Sequence, residues 1–261
     1  MDLSSDGDIV MAMDNISIKG ENIEVAYGSN VLMRNVDFEV NKSDVFIIMG
    51  GSGCGKSSLM RVMTGLKEPS KGKVFVLGKD FYAQDDENKK LIMQNCGILY
   101  QSGALFSSMT LSENVAMPLQ EYTDYSPKMI NDLVELKLAL VGLKGYGDFY
   151  PSEISGGMKK RAGLARALAL DPEILYFDEP SAGLDPVSSK LLDDLILEIN
   201  QSLGTTIVVI THELNSIFAI GNNSVFLDVD IKGISARGNP KELLKNPPNE
   251  NVYRFLKGGR L

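Results

Sequence analysis

Residues 45–57 read VFIIMGGSGCGKS, and this stretch decides the fold. Val45 to Met49 is an unbroken apolar run closed by glycines, the pattern of a strand buried on both faces. From Lys56 onward Leu59, Met60 and Met63 recur at helical spacing, and Gly65 supplies a natural stop. The sequence therefore expects a buried strand, a glycine-rich loop and a helix in direct succession.

Gly50, Gly51, Ser52, Gly53, Cys54, Gly55, Lys56 and Ser57 satisfy the spacing G-x-x-x-x-G-K-[ST]. Glycines let successive backbone N–H groups converge on phosphate oxygens, and the helix N-terminus adds partial positive charge. Lys56 is expected to reach the β- and γ-phosphates of a nucleotide, and the Ser57 hydroxyl to bind Mg²⁺. A flexible Gly/Ser loop is the plainer alternative, but the strand-loop-helix setting disfavours it. Cys54 is expected to be a small filler whose backbone faces phosphate rather than a nucleophile.

A second cluster stands at residues 174–179, ILYFDE. Four apolar residues followed by two acids place Asp178 and Glu179 at the C-terminal edge of a sheet, where open α/β sheets bind ligands. Asp178 is expected in the Mg²⁺ shell, and Glu179 as the group that orients or deprotonates an attacking water.

The sequence SGGMKKRAGLARAL at 155–168, standing shortly before LYFDEP and SAGLD, resembles the signature motif, Walker B strand and D-loop of ABC-type ATPases. In isolation Ser155 with two glycines reads as a helix N-cap and a loop. The resemblance runs from about residue 23 to the C-terminus. It implies that Tyr27 stacks on adenine, that Ser58 continues the phosphate loop, and that Gln101 is the Q-loop glutamine near Mg²⁺ and water. It further implies that Ser155, Gly156 and Gly157 bind the γ-phosphate of ATP held by a second copy. Asp185 would belong to the D-loop at that dimer interface. His212, within VVITHE at 208–213, would be the switch histidine at the γ-phosphate. Met158, Gly51 and Ser58 depart from the commoner Gln, Pro and Thr, and none removes a phosphate or metal contact.

The segment after Gln101, SGALFSSMTLSENVAMPLQEYTDYS, is similar to that of the Mla/Mce-associated ATPases of bacterial phospholipid transport, as is the tail NVYRFLKG. The resemblance implies an ATP-hydrolysing, Mg²⁺-dependent subunit closing head to tail on a second copy of itself. Its partners would be an integral membrane permease and further lipid-transport subunits, and its place the cytoplasmic face of the inner membrane. Leu105 and Phe106 are expected at the surface that meets the permease, and Val115 in internal packing. Amino-acid import, lipoprotein release and cell-division systems remain alternative transport roles. A soluble ABC protein acting on DNA or ribosomes is a further one, disfavoured by the absence of a second cassette, coiled coil or zinc cysteines.

Working outward, the alternation of strands and helices expects an α/β fold. It would combine a P-loop (RecA-like) core of mainly parallel strands, an antiparallel β subdomain and an α-helical insertion at about 105–170. Expected strands run from Ile23 to Ala26, Val36 to Val40, Val74 to Leu77, Gly97 to Tyr100, Ile174 to Phe177 and Thr205 to Ile210. Thr110 with Glu113 forms a capping-box pattern, and Ser126-Pro127 starts a helix that ends near Gly142. A helix from about Ser188 to Leu203 and a helix start at Asn239-Pro240 complete the expectation. Residues 1–15 read as a flexible acidic leader, 16–238 as the catalytic domain and 239–261 as a C-terminal extension.

Composition sets the outer bounds. The 261 residues carry a formal charge of -8, two cysteines and one histidine. Those counts leave no disulfide framework and no zinc site of Cys and His alone. Net negative charge argues against a nucleic-acid surface, which needs clustered Lys and Arg. Charge is uneven, about −5 over residues 1–24 and about +5 over 232–261. The N-terminus lacks a signal-peptide layout, and no apolar stretch approaches the roughly 18 residues of a membrane span.

Overall fold

The computed structural model describes residues 15–258. The expected leader therefore lies, except for Asn15, outside the described residues. The described chain divides into two compact units. One runs to Ile92 and resumes at Gly221; the other spans Met93 to Ile220.

In the first unit, β1 (Ile16–Tyr27) and β2 (Asn30–Asn41) form an antiparallel hairpin, and β1 also pairs antiparallel with β4 (Lys71–Val76). The short β5 (Lys79–Asp80) closes that sheet in the order β2-β1-β4-β5. Both hairpin strands are longer than the sequence suggests, and β2 already begins at Asn30. The reason is irregular register: the pairing shifts around Gly20 to Ile23, and Asn22 takes a left-handed φ of 49°. Such bulges break the alternation that marks a strand in sequence.

A second group of strands in this unit holds β3 (Val45–Gly50), every residue of which is buried. Beside it runs β9 (Asn223–Asp228), parallel, and β10 (Gly233–Arg237) pairs antiparallel with β9. The helix α1 (Lys56–Met63) leaves the loop after β3 and buries Leu59, Met60, Val62 and Met63. A further helix, α2 (Asp86–Gln94), begins in this unit and buries Ile92.

The second unit is built on three parallel strands in the order β6-β7-β8: β6 (Cys96–Leu99), β7 (Ile174–Asp178) and β8 (Thr206–Ile210). Between β6 and β7 every regular element is helical: α3 (Leu111–Tyr122), α4 (Pro127–Leu140), a 3₁₀ turn (Pro151–Glu153) and α5 (Gly156–Ala167). The Thr110/Glu113 capping box forms with both bonds, and Ser126 caps α4 through Met129 N–H. Then α6 (Pro186–Leu203) joins β7 to β8, and α7 (Leu214–Ile220) follows β8.

Two short helices, α8 (Pro240–Lys245) and α9 (Glu250–Leu256), end the described chain in the first unit. Asn239 caps α8 as its sequence suggests. Phe255 of α9 packs edge-on against Phe226 of β9, with ring centroids 5.3 Å apart. Asn251 donates to Asp228 and Asp230, at 3.1 Å each.

Candidate functional site

In the first unit the phosphate loop begins at Gly50, whose φ of 145° lies where L side chains rarely go. A Cβ there would meet the Leu227 carbonyl oxygen at 2.4 Å and Cys54 Sγ at 2.6 Å, so only glycine fits. Gly55, left-handed at φ 100°, caps α1 without a side-chain bond, which leaves the first-turn N–H groups to other acceptors. Lys56 Nζ donates to the carbonyls of Gly50 at 2.9 Å and Gly51 at 3.0 Å, folding its cation back over the loop. Cys54 is buried, and burial raises its thiol pKa, so it is a packed filler rather than a thiolate nucleophile.

Tyr27 closes this half. Its ring is half-exposed, its hydroxyl lies 3.2 Å from Ser58 Oγ, and Lys67 Nζ sits 4.3 Å from the ring centroid. The hydrogen bond to Ser58 leads in lowering its phenol pKa. Ser58 thus acquires a contact that its motif position does not announce.

In the second unit β7 delivers Asp178 at its last position, half-buried, and Glu179 immediately beyond it. Glu179 holds a left-handed φ of 50°, and its N–H donates to Ile210 O at 2.9 Å, locking the turn onto the end of β8. A strained backbone of this kind persists only where its surroundings fix it. Glu179 Oε1 and His212 Nδ1 are 2.9 Å apart. A carboxylate oxygen accepts, so in this contact Nδ1–H is the donor. Glu179 Oε2 is buried and has no hydrogen-bond partner among the described residues. The pairing of Glu179 with His212 is absent from the sequence reading, which assigns the two residues separate tasks 33 positions apart.

Ser155 caps α5, its Oγ accepting from Met158 N–H at 3.2 Å, so the N-cap role and the signature position coincide. Gly156 begins the helix exposed, with Gly157 half-buried behind it. Asp185 caps α6 by accepting from Val187 and Ser188 N–H at 3.0 Å each; its bonds to Ser188 lead in holding its pKa low.

Gln101 is exposed in the turn after β6. The loop behind it is built firmly. Asn114, fully buried, donates to the carbonyls of Phe106, Met109 and Thr110 and accepts from Phe106 N–H. Arg166 of α5 donates to the carbonyls of Ala104 and Gly103, at 2.8 and 3.2 Å, with its guanidinium 5.9 Å from the Phe106 ring centroid. Phe106 stays 46% exposed while Val115 is buried, the division the sequence suggests.

Sequence reasoning misses Lys160. It is 6% exposed, and its ammonium donates to the carbonyl of Ala182. The one available signal is spacing, since Lys160 stands one helical turn before the buried Leu164.

Comparison with known proteins settles the family. The profile described as ABC transporter matches residues 33–182. The chain belongs to the ABC transporter family. The MlaF intermembrane phospholipid transport ATP-binding protein of Haemophilus influenzae is 36% identical over 94% of this chain and 92% of its own. The protein of the same name from Escherichia coli K12 is 38% identical over 88% and 85%. A probable ribonucleotide transport ATP-binding protein, mkl, of Mycobacterium tuberculosis H37Rv is 38% identical over 94% and 68%.

Among solved structures, the ATP-binding cassette MJ0796, dimeric in a post-hydrolysis state with ADP and Pi, superposes with a TM-score of 0.77 at 26% identity. That likeness covers 85% of this chain and 98% of the cassette. The cbiO1 subunit from Clostridium perfringens gives 0.81 at 25% identity, over 90% and 92%. This ABC protein therefore has the cassette fold and is a nucleotide-binding ATPase subunit of a transporter. No described helix is long and apolar enough to cross a membrane.

Proposed function

We propose that this ABC ATPase energises a phospholipid-transport system. Two copies would close head to tail on two ATP, driving an integral membrane permease and further lipid-transport subunits from the cytoplasmic face of the inner membrane. The observation that carries the lipid reading is similarity to two phospholipid-transport ATP-binding proteins over at least 85% of either length. The resemblance of the segment after Gln101 supports it over the ribonucleotide role named for mkl. In this reading residues 16–238 are the cassette, 105–170 its helical subdomain, and 239–261 an extension.

The roles follow from the chemistry of the residues. Backbone N–H groups from Gly50 to Ser58, with Lys56, would neutralise the β- and γ-phosphates, and Tyr27 would stack on the base. Glu179 would take a proton from the attacking water on Oε2 as water bonds to the γ-phosphorus and ADP leaves. His212 would hold the Glu179 carboxylate through Nδ1–H and, doubly protonated, donate Nε2–H to the γ-phosphate. Ser155, Gly156, Gly157 and Asp185 would complete the site of the second copy.

Mg²⁺ fits the residues available. Ser57, Asp178 and Gln101 offer a hydroxyl, a carboxylate and an amide oxygen, the all-oxygen set this ion takes. When bound, it neutralises charge on the β- and γ-phosphate oxygens.

Copurification in detergent tests the proposal. The chain should bring down a membrane permease, glycerophospholipid should be identified in the complex by mass spectrometry, and phospholipid should stimulate ATP turnover. Stimulation by a ribonucleotide or amino acid instead, or recovery with ribosomes or DNA, would contradict it.

A further inference from the structure

A buried lysine without an ion-pair contact is costly, because desolvation disfavours its charge. Lys160 bears that cost in the middle of α5. Burial lowers its pKa, while the carboxylates of Glu213 and Glu179 favour the charged form through space. A methionine of similar length would fill the same volume without the penalty, so packing alone does not explain a lysine here.

Its connections suggest what the charge and donor do. The ammonium reaches out of the signature helix to the carbonyl of Ala182. Ala182 N–H in turn donates to the backbone carbonyl of Glu179 at 3.2 Å, and Glu179 holds His212. Glu213, beside His212, accepts from Ser189 Oγ of α6 at 3.2 Å. The helix is thus bonded to the turn after β7, and that turn holds the His212 side chain that follows β8.

We propose that Lys160 is a positioning residue that fixes the Ser155-Gly156-Gly157 end of α5 relative to the Glu179–His212 pair. The inference rests on the ATP-sandwich reading above. There, the signature end serves the nucleotide of the second copy and Glu179 serves the nucleotide of its own. Lys160 then ties one chain's contributions to two sites, so that closure at one is felt at the other.

The test compares wild type with Lys160→Met and Lys160→Arg, measuring steady-state ATP turnover, thermal midpoint and the NMR signal of His212, the one histidine of the chain. For Lys160→Met the expected result is kcat lowered about tenfold, KM within about twofold and a melting temperature no lower than wild type. The His212 Cε1–Hε1 peak should move in the absence of nucleotide. Lys160→Arg, which keeps donor and charge, should retain kcat within about threefold.

Undiminished kcat in Lys160→Met, an unmoved His212 peak, or an Arg variant as impaired as the Met variant would overturn the role. Should Lys160→Met not fold, Lys160→Gln replaces it, with a loss of about threefold or more expected and wild-type kcat again overturning the role. A wild-type chain that does not turn over ATP overturns this inference and the functional reading together. A competent wild type with an indifferent Lys160 variant overturns this inference alone.

Discussion

Glu179 Oε1 and His212 Nδ1 lie 2.9 Å apart, joining the residue after β7 to the second residue after β8. The Glu179 backbone reinforces the link through its N–H bond to Ile210 O. One carboxylate oxygen is therefore committed to the imidazole, and the other, Oε2, is buried without a partner among the described residues. A general base needs one oxygen free for a proton and enough restraint to hold it in place. The restraint is in place, and in the proposed role Oε2 would take the proton once the attacking water reaches it.

Because His212 bonds to Glu179, the proposed base, removal of the imidazole should separate binding from turnover. His212→Ala is expected to leave ATP affinity within about threefold while lowering kcat by about 10²-fold. Fluorescent-nucleotide titration and phosphate release measure the two quantities. Turnover close to wild type would return His212 to an ordinary exposed side chain.

Asn114 anchors the segment behind Gln101 with four hydrogen bonds, all from a fully buried amide. Asn114→Leu keeps volume but takes their partner from Phe106 N–H and Met109 O, while the carbonyls of Phe106 and Thr110 keep backbone donors. A loss of about 2–4 kcal/mol in unfolding free energy is expected by urea denaturation. A change below about 0.5 kcal/mol would show that the loop stands without it.

Asp193 of α6 is buried, accepts from Ser216 Oγ at 2.8 Å, and burial pushes its pKa up to about 6. A folded-state pKa above the unfolded 3.8 means that the native state binds the proton more tightly. Stability from this group is present below about pH 4 and is lost as pH rises through about 6. Asp193→Asn mimics the protonated form and keeps an acceptor for Ser216. It should raise stability by about 1–3 kcal/mol at pH 8, with the gain vanishing near pH 4. Thermal melts at both pH values decide it, and an equal effect at each would contradict the assignment.

Residues whose backbone geometry demands a particular type were legible in sequence. Gly50 and Gly55 announce the phosphate loop because no other residue fits, and Thr110 with Glu113 announces a helix start because the two side chains satisfy each other's N–H groups. What was not legible depends on tertiary context. The bulged register of β1 hides its length, and β9 and β10 are short strands whose partners lie in the fold rather than in their own alternation. Lys160 reads as a solvated charge in a basic stretch, because nothing local says that the turn after β7 will cover it. The Glu179–His212 contact likewise exists only once β7 and β8 lie side by side.

In the proposed mechanism Glu179 drives hydrolysis of ATP in a site completed by a second copy of the chain. Glu179→Gln keeps shape but removes the proposed base. With Mg-ATP it should lose turnover by at least about 10²-fold, while running as a dimer by size-exclusion chromatography with light scattering. Wild type under the same conditions should return to its nucleotide-free state as ATP is consumed. Undiminished phosphate release by Glu179→Gln, or a variant that binds ATP yet stays monomeric, would contradict the account.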